Sequence, residues 1–263
     1  MNKKDKDNLI KAAHAGGRVL RKYFGKTLNP IEKSTMWDFQ TEADLGSEKA
    51  ILKILKKEFP KYNIHAEEEG KTDNRADYTI VIDPLDGTNN FVLGIPNFSV
   101  SIAILDKKGA VAGVVYHPIL NQTYYAERGQ GAYLNSKKIK VNKIVDPLKM
   151  TIAYNCGYTT SREKIIARFK NLMLSDHKRI LFGWSPAYDY CLLASGKIES
   201  VMTDGGTEIY DFGAGKLIAL EAGAVLTDLN GKNEKSYLNS NFLLSNNKVI
   251  HNYVLKVYKS AKK

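Results

Sequence analysis

The sequence predicts a mixed α/β protein built from two unlike halves, and three observations predict it. Residues 5–59 place apolar side chains three and four apart, the helical period. Residues 78–134 change to apolar–polar alternation, the strand period. Beyond residue 147 strand-like and helix-like stretches alternate, the pattern of a layered α/β unit.

The elements follow in order. Leu9, Ala13, Gly16, Leu20 and Phe24 share one face of a helix over 5–24, and Leu45, Ile51, Leu55 and Phe59 give a second over 41–59, which Pro60 stops. Residues 78–83 (YTIVID) read as a strand. In 97–105, Phe98, Val100, Ile102 and Ile104 alternate with Ser99, Ser101 and Ala103. AVAGVVYH, QTYYAE and AYLN continue as a meander, so the first half is expected to be two helices and an antiparallel sheet. Asp146-Pro147 marks a boundary, giving halves 1–147 and 148–263. In the second half TIAYN, RILFG, ESVMTD, AVLTDLNG and FLLSNN read as strands. SREKIIARFKNLML, SPAYDYCLLASG, YDFGAGKLIALEAG and a basic terminal segment read as helices.

The chain has 263 residues, 43% of them hydrophobic and 25% charged, which fits a folded globular protein with a sizeable core. No apolar run approaches the roughly 20 residues that span a membrane, and no signal peptide is expected behind MNKKDKDNLI. Cys156 and Cys191 form neither a disulfide framework nor a CxxC pair, so a reducing, cytoplasmic setting is expected. The net charge of +11 suits an anionic partner, but the lysines are spread along the chain rather than blocked. A small phosphorylated metabolite is therefore expected, and nucleic acid is not.

The chemistry concentrates in Val81–Phe91, VIDPLDGTNNF. Asp83 ends an apolar run, Pro84 breaks regular structure, and Asp86 can turn back toward Asp83. Two such carboxylates repel unless a cation lies between them. Oxygen ligands without a neighbouring His or Cys suit magnesium or manganese. Gly87, Thr88 and Asn89 follow at the start of a turn or helix, where backbone N–H groups can hold an anion. Asp-Pro and Asp-Gly are also good turn formers. Thr41 to Asp44 matches a capping box, Asp211 can cap its helix, and Glu67, Glu68 and Glu69 can be a solvated loop. Trp37 and the tyrosines read as packing residues. His14, His65, His117, His177 and His251 show no ligand spacing, and His65 reads as a loop residue.

The chain resembles the inositol monophosphatase family over nearly its full length. Asp83-Pro84-Leu85-Asp86-Gly87-Thr88-Asn89-Asn90-Phe91 matches its first signature. Tyr210-Asp211-Phe212-Gly213-Ala214-Gly215 with Glu221-Ala222-Gly223 nearly matches its second. Glu67-Glu68 and Thr41…Asp44 match two shorter elements. The resemblance implies a layered αβαβα sandwich of the inositol monophosphatase and fructose-1,6-bisphosphatase type, with the site between the halves. It implies two or three Mg2+ ions per site, with Mn2+ able to substitute, sensitivity to lithium, and a homodimer.

By the same resemblance, Glu67, Asp83 and the Leu85 carbonyl bind one metal, and Asp83, Asp86 and Asp211 a second. Thr88, oriented by Asp44, positions the attacking water, and Glu67 joins these two in catalysis. The N–H groups of Gly87 and Thr88 hold phosphate, Asp204 contacts a substrate hydroxyl, and Lys33 stands near the mouth. Ser185 and Ala187 fall on the substrate side, where Trp184-Ser185-Pro186-Ala187 replaces the usual G-S-A-A and is expected to narrow the pocket or change its preferred alcohol. The implied activity is hydrolysis of a phosphomonoester by direct attack of water, on inositol 1-phosphate or else on fructose 1,6-bisphosphate or histidinol phosphate.

Three rivals remain. Cys156 to Arg162 is C-x5-R, a thiolate phosphatase pattern, though poor in glycine and without a preceding histidine. An aspartyl-phosphate enzyme would need D-x-D-G-T, and the extra residue here spoils that spacing. A phosphate-binding protein without turnover is the third.

Overall fold

The computed structural model describes residues 1–28, 30–33, 39–157, 161–234 and 237–260; Trp37, the middle of the C-x5-R stretch and the last three residues of the basic tail lie outside them. Helix α1 (Lys3–Tyr23) starts where the Asn2 side chain accepts from the Asp5 N–H at 2.8 Å. Its buried face is Leu9, Ala12, Ala13, Gly16, Gly17 and Leu20. After a two-residue ribbon, β1 (Ile31–Glu32) with β2 (Phe39–Gln40), helix α2 (Glu42–Glu58) opens on the expected capping box of Thr41 and Asp44. Leu45, expected to point inward, is 47% exposed. The inward places belong to Ala43, Ser47 and Glu48, because the first turns of α2 face polar backbone. Ser47 Oγ donates to the Pro84 carbonyl at 2.8 Å, and Glu48 accepts from the Glu68 and Glu69 N–H groups.

The larger sheet has eight strands: β3 (Asn63–Ala66), β4 (Gly70–Thr72), β5 (Thr79–Asp86), β6 (Ser99–Asp106), β7 (Gly109–His117), β8 (Gln122–Glu127), β9 (Gly131–Leu134) and β10 (Lys137–Ile139). Their spatial order is β10-β9-β8-β7-β6-β5-β3-β4. It is not wholly antiparallel, since β3 runs parallel to β5. Strands β3, β4 and β10 are too short to show a period in the sequence. His65 lies in β3, not a loop, with its ring edge-on to Tyr210. Helix α3 (Thr88–Val92) separates β5 from β6.

After a single 3-10 turn at Pro147–Lys149, the second half alternates as expected. Its elements are β11 (Thr151–Asn155), α4 (Arg162–Met173), β12 (Arg179–Leu181), α5 (Pro186–Ala194), β13 (Ser200–Asp204), α6 (Ile209–Glu221), β14 (Val225–Asp228), β15 (Asn241–Ser245) and α7 (Lys248–Ser260). The sheet order is β12-β11-β13-β15-β14, with β12, β11 and β13 parallel and β15 antiparallel to both its neighbours.

Strand alternation converts this list into five layers. Ile80 and Ile82 of β5 join the core under α1 and α2, whereas Val81 joins the core with α5 and α6. In the second sheet Ala153, Val201, Phe242 and Leu244 meet α5 and α6 from the other side, while Ile152, Met202 and Leu243 pack with α4 and α7. Helices α5 and α6 therefore lie between two sheets, and every residue of α6 from Phe212 to Ala219 is buried. That includes Lys216, 0% exposed, whose Nζ reaches Glu234 Oε1 at 2.7 Å and lies 4.1 Å from the Phe242 ring centre. Among the described residues no helix is long and apolar enough to cross a membrane.

Helix α6 sits against β7 at Gly113. A Cβ there would fall 2.8 Å from Ala214 Cα, which backbone cannot yield to. Gly113→Ala is expected to lower stability by about 1–3 kcal/mol, as overpacking does, read as a drop in melting temperature.

Candidate functional site

Asp83 and Asp86 are three apart, and an odd spacing on a regular strand would send them to opposite faces. A bulge corrects this. Asp83 pairs with Ser101 and Asp86 with Ser99, so three steps on β5 match two on β6 and both carboxylates face the same side. Pro84 occupies the bulge, where its missing N–H removes no ladder bond. The strand thus runs through the proline instead of stopping at it.

Each carboxylate is held by neighbours. Leu85 N–H donates to Asp83 Oδ1 at 3.0 Å. Asp86 accepts from Ser99 Oγ at 2.9 Å, from Ser185 Oγ, and from the Ala187 N–H at 3.3 Å. Asp211, in the first turn of α6, accepts from the Glu208 N–H at 2.7 Å; Glu208 is the N-cap, and Asp211 closes the capping box from the third helical position rather than capping the helix itself. Glu67 leaves β3 with its N–H on the Ile82 carbonyl. Lys33 Nζ bridges Glu67 at 2.8 Å and Glu68 at 2.6 Å. The glutamate run is therefore not a solvated loop, although Glu69 is exposed.

Burial and like charge act together here. Asp83 is 2% exposed. Its carboxyl is pushed well above the usual range by burial first, then by the charges of Glu67, Asp86 and Asp211. Asp211 is pushed well up by burial and then by Glu67. Burial raises Glu67 against the pull of Lys33, and lifts Asp86 to about 6 against its hydrogen bonds. Burial would lower the Lys33 ammonium, but Glu67 and Glu68 more than offset this and leave it raised. The four carboxylates line one cavity of ≈ 460 Å³ with Leu85, Gly87, Thr88 and Asn89.

Behind the cavity, Thr88 Oγ1 lies 3.1 Å from Asp44 Oδ1 and 3.0 Å from the Leu85 carbonyl, able to donate to either. Asp44 also accepts from the Thr41 N–H and hydroxyl, so the capping box and the link to Thr88 coexist in one side chain. Burial raises Asp44 to about 7 despite those bonds. Gly87 has φ 95°, and a Cβ on it would fall 2.9 Å from the Asn97 carbonyl and 3.2 Å from that of Trp184. It lets β5 turn sharply into α3.

The donor set is oxygen only and of like charge, with Asp83 and Asp86 buried and Glu67 and Asp211 half-buried, which is the chemistry of a magnesium site. Among the described residues no three His, Cys, Asp or Glu side chains converge tightly enough to hold an ion by themselves. Magnesium does not require that. It keeps several waters and takes one or two carboxylates together with phosphate oxygens. The residues present suit it on those terms, since Glu67, Asp83, Asp86, Asp211 and Leu85 all line the one cavity and can offer an ion one or two carboxylates at a time.

The remaining expected residues lie around the four carboxylates. Ser185 and Ala187 are fully buried and reach the site through Asp86. Asp204 ends β13, is 1% exposed and does not line the cavity; Tyr154, which does, donates its OH to it at 2.8 Å. Trp184 and Pro186 line the cavity, as does Cys156. Sequence reading missed Asp189, a further buried carboxylate that burial and the Asp86 charge push well up. Its one signal was being the single charge in the otherwise apolar helix α5.

Cys156 bears on the thiolate rival. Burial and the Asp204 charge push its thiol up to about 11, the reverse of what a nucleophile needs. Cys156→Ser is expected to leave phosphate release unchanged; a collapse of turnover would return the thiolate reading.

The chain matches the inositol monophosphatase family over residues 2–263. It is 37% identical over 243 residues to Nus factor SuhB of Pasteurella multocida, covering 90% of this chain and 88% of the relative. It is 34% identical over 251 residues to the fructose-1,6-bisphosphatase/inositol-1-monophosphatase of Thermotoga maritima, covering 95% and 94%. Its structure aligns with that of extragenic suppressor protein suhB from Bartonella henselae at a TM-score of 0.89 and 30% identity, over 97% and 98% of the two chains. With the motifs, the five layers and these likenesses in agreement, the chain belongs to the inositol monophosphatase family.

Proposed function

We propose that the protein is a magnesium-dependent phosphomonoester hydrolase acting by direct attack of water, with inositol 1-phosphate as the first substrate to try. The observation that supports this most is the set of four carboxylates on one cavity beside Gly87 and Thr88, with Asp83 raised by burial and by the charges of the other three. Glu67, Asp83, Asp86 and Asp211, with the Leu85 carbonyl, would hold the ions. Bound magnesium supplies a more acidic water and balances the charge that grows on the phosphoryl oxygens.

The protein's own groups do the rest. The Gly87 and Thr88 N–H groups orient the phosphate. Thr88 Oγ1 fixes the direction of the attacking water, and Asp44, raised to about 7, is placed to hold the proton passed through Thr88. Asp204 recognises a hydroxyl of the alcohol once Tyr154 releases it. Lithium inhibition, cytoplasmic residence and a homodimer belong to the same reading.

Phosphate release with and without magnesium tests it, on inositol 1-phosphate, fructose 1,6-bisphosphate, histidinol phosphate and 3′-phosphoadenosine 5′-phosphate. The Thermotoga relative's double name makes the bisphosphate the first competitor. The name of the Pasteurella relative and the charge of +11 favour a second reading, a protein that binds phosphate-bearing partners without turning them over. Inorganic phosphate bound tightly with no release from any ester would support that instead.

A further inference from the structure

Trp184 stands at φ 52°, in the left-handed region that a residue with a Cβ enters only with strain. Three contacts hold the backbone there. Asn90 Nδ2 and Asn97 Nδ2 donate to the Gly183 carbonyl at 2.8 and 2.7 Å, and Asn90 Nδ2 also lies 3.4 Å from the Trp184 carbonyl. Both asparagines come from the segment after the DPLDGT motif, so the strained residue is tied to the carboxylate wall.

Burial of the indole does not offset this strain, because Trp184 is 51% exposed. It lines the carboxylate cavity together with Phe39, Tyr154, Ile165, Phe182 and Pro186. Phe182 is itself braced, its ring 5.8 Å from that of Tyr154 and 5.9 Å from that of Phe169. A strained, half-exposed indole that continues an apolar cavity wall has the properties of a contact surface for a ligand.

We propose that Trp184 is a specificity-determining residue, and that its indole takes the flat apolar face of a ring borne by the alcohol of the substrate. This rests on the phosphomonoester reading above. The carboxylates engage the phosphate end through cations, while Trp184 reads the face of the carbon skeleton. Rings with an apolar face, aromatic or cyclitol, gain from it, and short acyclic alcohols do not.

The test separates binding from turnover. Phenylphosphonate and methylphosphonate carry the same anionic head, cannot be hydrolysed as esters, and differ by the ring. With magnesium present, phenylphosphonate should bind the wild type about tenfold more tightly, in line with one stacked ring. The gap should vanish in Trp184→Gly and in Trp184→Asn, both of which tolerate φ 52°, and persist in Trp184→Phe. In turnover, Trp184→Gly should raise KM about tenfold more for inositol 1-phosphate than for glycerol 2-phosphate. An equal gap in wild type and Trp184→Gly, or none in the wild type, overturns the proposal. A ring-dependent gap with no turnover of any ester keeps Trp184's role and overturns the hydrolase reading.

Discussion

Asp83→Asn should abolish magnesium-dependent phosphate release, by more than about a thousandfold, while the protein melts at or above the wild-type temperature at pH 7. Both halves follow from one side chain. Asp83 lies at the centre of the charge cluster and is the carboxylate proposed to hold both ions. Asparagine keeps the Oδ1 that accepts from Leu85 N–H but removes the charge. A carboxyl held well above its ordinary 3.8 weakens the fold as pH rises above that value, because the unfolded chain sheds the proton that the folded chain retains. Neutral asparagine escapes this, so the variant's advantage should fade as the pH falls below about 4. Magnesium should raise the wild-type melting temperature by mass action, about 2.7 kcal/mol at a hundredfold excess over Kd, and should raise that of the variant far less. Near-normal turnover in Asp83→Asn would refute the metal assignment, and a large loss of stability would show that Asp83 is structural.

The second large effect lies away from the cavity. Glu234→Ala is expected to destabilise the protein by about 3–5 kcal/mol, because it leaves Lys216 charged, buried and unpaired. Lys216→Met with Glu234→Leu together should be neutral or stabilising, since burial opposes both charges. It lowers the Lys216 ammonium to about 8 from 10.5 and raises the Glu234 carboxyl. The sign follows. Between pH 8 and 10.5 the unfolded chain binds the proton that folded Lys216 has released, so this group's contribution to stability increases with pH across that window. Denaturant titrations of the wild type and Lys216→Met at pH 7.5, 9 and 10 measure it. A constant difference between the two would mean that Lys216 does not titrate there.

What the sequence revealed depended on whether a signal was local. The helices, the meander strands and the strand–helix alternation after residue 147 have their own periods. The DPLDGT motif displays its chemistry within eleven residues. The bulge did not show, because it is a matter of register between β5 and β6, and a proline reads first as an end. The inward face of α2 was misjudged at Leu45 because hydrophobicity does not announce that the opposing surface is polar backbone. Asp189 and the Lys216–Glu234 pair were hidden for the converse reason. A charge inside an apolar helix acquires meaning only when two sheets close over it. The fold class and the carboxylate motif were thus legible; partners supplied by distant segments were not.

The enclosed layer of α5 and α6 also sets an order in time. Those helices have apolar surface to cover on both sides, so they settle only when both sheets have formed. Asp211 rides on α6 and Asp83 on β5, more than a hundred residues earlier in the chain. Contacts that distant close late, after the local pairings are in place. The carboxylate wall is therefore expected to be among the last features assembled, since it draws on both segments. In a refolding experiment, recovery of magnesium-dependent stabilisation should lag behind recovery of helical signal, marking the moment at which the molecule is complete.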